Sequence, residues 1–263
     1  MSDTPPLLVL DRISKRFGRV TVADELSLTV GPRESIGIVG PNGAGKTSLF
    51  SIISGDLAPD AGQVTLDGRA LGGSDAAARC RLGIGRTYQV PRPFEHMTVF
   101  ENVLVGVQQG AGLRQADAYD YALDALDRTD LFPLANRRAG LLTLLERKRL
   151  EVARALGTRP KLLLLDEVAG GLTGPEVEHL VEIVARVHSS GVAIVWIEHV
   201  VRALVNSVDR LMCLAAGGFV ADGDPATVLA SPAVREVYLG GGLELDTAPT
   251  DSAGADPAAP EPT

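Results

Sequence analysis

The stretch Gly40-Pro41-Asn42-Gly43-Ala44-Gly45-Lys46-Thr47-Ser48 has the residue types and spacing of a phosphate-binding loop, G-x-x-x-x-G-K-[ST]. Its glycines let the backbone curl around a phosphate, and the N–H groups opening a following helix point at the anion. Lys46 would reach the outer phosphates, and the Thr47 hydroxyl would ligate Mg²⁺. A tight glycine turn with an exposed lysine is the plainer reading of the same letters. The flanks decide between the two: an apolar alternation ends at Gly40, and a helical pattern (Leu49, Phe50, Ile52, Ile53) begins after Lys46. Strand, loop and helix in that order predict binding of a nucleoside triphosphate.

Two carboxylates, Asp166 and Glu167, follow the apolar run 162–165, at the carboxyl end of a buried strand where open α/β sheets bind ligands. Asp166 suits an outer-shell Mg²⁺ role and Glu167 the polarising of an attacking water. A core strand ending in a solvated acidic turn is common by itself; the upstream phosphate loop gives the pair its chemical meaning. Of the histidines at 96, 179, 188 and 199, His199 follows the apolar run 192–197 and Glu198. That places it on the same sheet edge as Asp166, within reach of a γ-phosphate, although a lone histidine is more often a surface residue. Gln89 ends a short strand at the border of a helical segment, where its amide could sense Mg²⁺ or water. A single glutamine is weak evidence.

The elements that must position these groups are readable in outline. Residues 7–11, 26–30, 64–67 and 84–89 read as strands, some antiparallel, with a basic link at 12–19, a turn at 31–34 and a loop at 55–62. Pro91 and Pro93 break the chain, and helical patterns then dominate to about residue 157, at 99–107, 116–126 and 146–156. From Lys161 the α/β alternation resumes. Residues 162–165 and 192–197 are continuous apolar runs typical of parallel strands buried on both faces. Between them lies a helical stripe at 176–188, and strands at 211–214 and 219–222 close the core. Residues 1–6 are expected to be flexible, and the Pro-, Ala- and acid-rich tail 243–263 disordered.

The chain of 263 residues is long enough for one large domain. Its net charge is −8, and the tail holds five acids and no base, leaving about −3 over residues 1–242. That balance argues against a protein whose main task is holding DNA or RNA. Cys80 and Cys213 fit no metal or redox spacing and read as reduced thiols. Neither a signal peptide nor an apolar run approaching the ~18–20 residues of a membrane span is present. A soluble chain is expected, reaching a membrane only through a partner.

The order of phosphate loop, Gln89, helical insert, Arg154-Ala155-Leu156, residues 162–167 and Glu198-His199 resembles the ATP-binding subunit of an ABC transporter. The resemblance spans about residues 7–240 and is nearest to the branched-chain amino-acid import group. Thr98-Val99-Phe100-Glu101-Asn102-Val103 and the run 149–156 carry that flavour, with Ile197-Glu198-His199, Gly223-Asp224-Pro225, Ser231-Pro232 and Tyr238-Leu239-Gly240. It implies an α/β fold: a P-loop NTPase (RecA-like) core with an antiparallel β subdomain and an α-helical subdomain inserted at about 91–157, together an ATPase domain over 7–242. It implies ATP and Mg²⁺ as cofactors, with two ATPase subunits sandwiching two ATPs against integral-membrane permease subunits. An extracytoplasmic solute-binding protein would deliver the solute, and the chain would sit on the cytoplasmic face of the membrane. By the same carry-over Phe17 stacks on adenine, the alternative being an ordinary strand-end aromatic, and the segment 89–94 docks on the permease.

Three places in the chain depart from the family pattern. Where a sequence like Leu-Ser-Gly-Gly-Gln is usual, this chain has Leu142-Thr143-Leu144-Leu145-Glu146. Glycine there lets backbone N–H groups approach the partner's γ-phosphate, and a leucine side chain crowds that approach. Thr143 and Glu146 still form a capping-box pattern, so a helix can start with its positive end intact, Arg147, Lys148 and Arg149 adding charge. Val168 replaces a usual proline, and Thr173 stands where an acid or amide commonly links the two sites. In such a sandwich the signature completes the partner's site. Pairing with a different ATPase subunit is therefore expected over a homodimer. The alternative function is a nucleotide-binding regulatory subunit with little hydrolysis of its own.

Overall fold

The computed structural model describes residues 4–240. Its amino-terminal part is a hairpin of β1 (Leu8–Phe17) and β2 (Val20–Val30), followed by β3 (Ser35–Val39), the phosphate loop and α1 (Lys46–Ser54). Next come β4 (Ala61–Leu66), β5 (Arg69–Ala70), α2 (Ala76–Leu82) and β6 (Ile84–Arg86). The helices α3 (Val99–Gly106), α4 (Gln115–Arg128) and α5 (Leu144–Gly157) then pack on one another. The chain re-enters the sheet with β7 (Leu162–Asp166), α6 (Gly174–Ser189) and β8 (Ala193–Ile197). It finishes through α7 (Val201–Val205), β9 (Arg210–Ala215), β10 (Gly218–Gly223), α8 (Pro225–Ala230) and α9 (Pro232–Gly240).

Two sheets result. One has four antiparallel strands in the order β2-β1-β4-β5; the other has six in the order β10-β9-β3-β8-β7-β6, parallel except for β10. Every residue of β3, β7 and β8 is buried, so neither face of these strands meets water. Their side chains alternate between two cores. Leu163, Leu165, Ile194 and Trp196 join the helices α3–α6, while Leu162, Leu164, Val195 and Ile197 join α1 and the antiparallel sheet. Each such leucine contributes about 2 kcal/mol on burial, which is why the apolar runs of β7 and β8 dictate the centre of the fold.

The strand boundaries read from sequence need correction at the edges. The basic stretch 12–19 is not a link: β1 runs through it to Phe17 and β2 begins at Val20, with register shifts after Leu10 that keep Ile13 buried. The strand expected over 84–89 stops at Arg86, so Gln89 lies in the loop beyond. The helix α2 was missed, although Asp75 caps it by accepting from the Ala78 N–H at 2.8 Å. The expected disordered tail 243–263 lies outside the described residues.

Candidate functional site

The phosphate loop is built where three strands leave it no room for side chains. Gly40 has φ 150° and Gly45 φ 103°, and a Cβ on them would lie 2.1 Å from the Leu214 carbonyl oxygen and 2.2 Å from that of Val22. β9 and β2 thus press the loop against the end of β3. The helix it opens, α1, has Gly45 at its N-cap, no side-chain cap and no acid in its first turn. Lys46 is buried and folds back over the loop, its Nζ donating to the carbonyls of Gly40 at 2.7 Å and Pro41 at 3.0 Å. Burial pushes its ammonium pKa down, against the pull of Glu167 and Asp166. Asn42, Gly43 and Thr47 are exposed; Pro41, Gly45 and Ser48 are half-buried and Ala44 is buried.

The carboxylates stand across from this loop. Asp166 ends β7 with its side chain buried, and one oxygen, Oδ1, has no hydrogen-bond partner among the described residues. Burial pushes its pKa up, opposed by Arg86. Glu167 has φ 47°, a left-handed backbone that costs a non-glycine residue about 1–3 kcal/mol and is concentrated at functional sites. Its N–H donates to the Ile197 carbonyl at 2.9 Å, tying the turn to β8. The Gln89 amide donates to Glu167 Oε2 at 2.5 Å, and His199 Nδ1 stands 3.8 Å from the same oxygen. Sequence-predicted Lys46, Asp166, Glu167, Gln89 and His199 therefore come together from four separate segments.

Phe17 ends β1, is 51% exposed and has the Lys15 ammonium 5.5 Å from its ring centroid. It pairs with Val20, two residues before the Val22 carbonyl against which Gly45 packs, so the hairpin tip flanks the loop. The donor set fits a nucleotide with a hard cation. The loop is a cradle that Cβ atoms would fill, and Asp166 holds a buried carboxylate oxygen without a partner. Among the described residues no three His, Cys, Asp or Glu side chains converge as a metal cage, so the phosphates themselves would complete the coordination.

The family model described as ABC transporter matches residues 23–170, and one described as branched-chain amino acid ATP-binding cassette transporter matches 220–244. This chain belongs to the ABC transporter ATP-binding family. The high-affinity branched-chain amino acid transport ATP-binding protein BraF of Pseudomonas aeruginosa is 34% identical over 250 residues, covering 89% of this chain and 98% of BraF. LivG of Salmonella typhimurium, similarly described, is 36% identical with the same coverage. The crystal structure of MJ1267 in its ADP conformation, an ATP-binding cassette of an ABC transporter, superposes with a TM-score of 0.82. It is 30% identical and covers 90% of this chain and 100% of its own. As a member of the family the chain is an ATPase with the P-loop cassette fold. Nothing in these similarities supports the regulatory alternative.

In this ABC ATPase the departures are now placed. Thr143 caps α5: its N–H donates to Glu146 Oε2 at 2.7 Å, and its hydroxyl accepts from the Glu146 N–H at 3.3 Å. The expected free positive end is thus partly consumed, and a carboxylate sits on it. Nor do the neighbouring cations add charge there. Arg147 turns to the Leu142 and Gly140 carbonyls, Lys148 is buried, and Arg149 reaches the Asp130 carbonyl and His179. Leu144 is 45% exposed and lies over Gly171, whose Cβ would be 3.3 Å from its Cδ2. Val168 is fully buried, filling the helical core. Thr173 opens α6, its N–H and hydroxyl both donating to Glu176 at 2.8 Å.

The sequence reading missed several groups that hold the site. Lys148 Nζ donates to the Gln89 carbonyl at 2.8 Å and that of Glu167 at 3.2 Å. Burial lowers its pKa, against Glu198 and Glu167. Glu151 Oε1 accepts from the Arg92 N–H at 3.0 Å, and Arg154 Nη1 donates to the Arg92 carbonyl at 2.8 Å. Glu198 is fully buried behind His199, accepting from the Ala169 N–H at 2.7 Å and Trp196 Nε1 at 3.2 Å. Burial raises its pKa, and the Ala169 bond opposes that. The spacing of 148, 151 and 154 along one helix face was the signal available for the first three.

Proposed function

We propose that the chain hydrolyses ATP to drive uptake of branched-chain or related amino acids. The observation that carries this is the meeting of an uncapped helix start at Gly45–Lys46 with Glu167, Asp166, Gln89 and His199. Residues 40–48 cradle the phosphates, Lys46 exchanging its loop carbonyls for the outer phosphates, and Phe17 stacks on the adenine. Thr47, Asp166 and Gln89 would hold Mg²⁺, which when bound would neutralise charge on the phosphates. Glu167 orients the attacking water and accepts its proton. Gln89 and His199 aim the Glu167 carboxylate, and His199 donates to the γ-phosphate. The names of the relatives, branched-chain amino acid transport ATP-binding proteins, support the solute class. The family resemblance adds work through integral-membrane permease subunits, a solute-binding protein outside the membrane and a seat on the cytoplasmic face. Among the described residues no helix is long and apolar enough to cross a membrane.

The partner ATPase is a different subunit. A carboxylate and two leucines at Leu144–Glu146 equip this chain poorly to complete a second copy's site, while its own loop and carboxylates are in place. Phosphate release is measured from the purified chain and from its complex with permeases and the second ATPase. The mixed complex is expected to be much faster, and equal rates from the chain alone overturn the heterodimer. In the complex Glu167→Gln lowers turnover by about 10²–10⁴ at this site while nucleotide remains bound.

A further inference from the structure

Arg86 ends β6 three residues before Gln89 and has no part in the scheme above. Its side chain is 8% exposed, with the Phe50 ring 5.9 Å and the Tyr88 ring 5.3 Å from the guanidinium carbon. The two terminal nitrogens divide between the elements that bear the proposed metal-binding residues. Nη2 donates to Asp166 Oδ2 at 3.2 Å, at the end of β7. Nη1 donates to the hydroxyls of Ser54 at 2.9 Å and Ser51 at 3.2 Å on α1, and to Asp56 Oδ2 at 3.0 Å. Ser51 in turn donates to the Thr47 carbonyl at 2.8 Å, one turn back along α1.

We propose that Arg86 is a positioning residue for the Mg²⁺ site. By holding Asp166 Oδ2 together with the α1 hydroxyls, it keeps Oδ1 turned to the metal and fixes the distance between Thr47 and Asp166. This rests on the nucleotide-site reading of the preceding section. Among the described residues no other side chain is hydrogen-bonded to the Asp166 carboxylate, whose Oδ1 is buried and partnerless. Without the guanidinium both oxygens lack a partner, and a buried carboxylate in that state turns toward whatever donor it can find. The planar fork of arginine spans two acids and two hydroxyls at once; a lysine ammonium reaches one cluster or the other. A purely electrostatic role has the opposite sign, because a guanidinium this close repels Mg²⁺ and its removal would tighten metal binding.

The test measures binding of a fluorescent ATP analogue to the purified full chain, in EDTA and across a Mg²⁺ titration. For Arg86→Met the affinity in EDTA stays within about twofold of wild type, and the Mg²⁺ midpoint rises about tenfold, the usual cost of losing an outer-shell partner. Arg86→Lys raises the midpoint about threefold. Should Arg86→Met fail to fold by circular dichroism, the lysine variant carries the test. Midpoints that stay unchanged, or fall, overturn the proposal. Equal losses in EDTA and in Mg²⁺ also overturn it, since they mark a general structural role. A wild-type chain that binds the analogue without any response to Mg²⁺ overturns this inference alone, whereas one that fails to bind the analogue in EDTA or in Mg²⁺ overturns the nucleotide-site reading itself.

Discussion

The starts of α1 and α5 are two helix ends built in opposite ways. At α1 a left-handed glycine occupies the N-cap, and no side chain meets the first turn. At α5 the capping box of Thr143 and Glu146 satisfies the first turn from within. A capping box of this kind also opens α3 and α6. Capping contributes about 1 kcal/mol, so a helix that leaves its first turn bare gives up stability that an anion can return. On the proposed reading, α1 is the end prepared for a phosphate. The α5 start, whose counterpart in the family pattern carries two glycines, has been made self-sufficient.

Three changes test that contrast, from the largest effect down. Lys46→Ala removes the buried cation of the open end, and nucleotide affinity is expected to fall by about 2–5 kcal/mol, read by equilibrium dialysis. Unaltered affinity would mean that α1 is not where phosphate binds. Leu144→Gly with Leu145→Gly reopens the closed end. ATPase of the chain without its partner subunit should rise by roughly tenfold, less than the ~10²–10³ of a single preorganised donor because Glu146 remains. Two glycines also cost about 1 kcal/mol each in helix stability, so a lower Tm should accompany any gain. Thr143→Ala removes only the cap, and should lower stability by about 1 kcal/mol, or Tm by roughly 2–4 °C, with ATP affinity unchanged in calorimetry.

What the sequence made legible follows the physics of each element. β7 and β8 are apolar throughout because both faces are buried, so their ends, and with them Asp166 and His199, could be placed. The phosphate loop announces itself because backbone crowding by Leu214 and Val22 demands glycine at fixed spacing. The continuation of β1 past Asp11 was hidden because bulges break the period-two pattern. Arg86, Lys148 and Glu198 were hidden for a different reason. Their partners lie 80, 59 and 29 residues away, and buried charges leave no local pattern when long-range partners satisfy them. Gln89 was found but misplaced on a strand, since nothing local shows that Lys148 captures its carbonyl.

That capture has a mechanical side. Lys148, Glu151 and Arg154 fasten the loop from Gln89 to Arg92 at three points along a single helix. A segment splinted in this way is expected to follow a shift of α5, and Lys148, which also holds the Glu167 carbonyl, is its fulcrum. Its far end is the 2.5 Å contact between the Gln89 amide and Glu167. A hydrogen bond is lost by about 3.6 Å, so a displacement of roughly 1 Å in α5 is enough to disengage glutamine from glutamate.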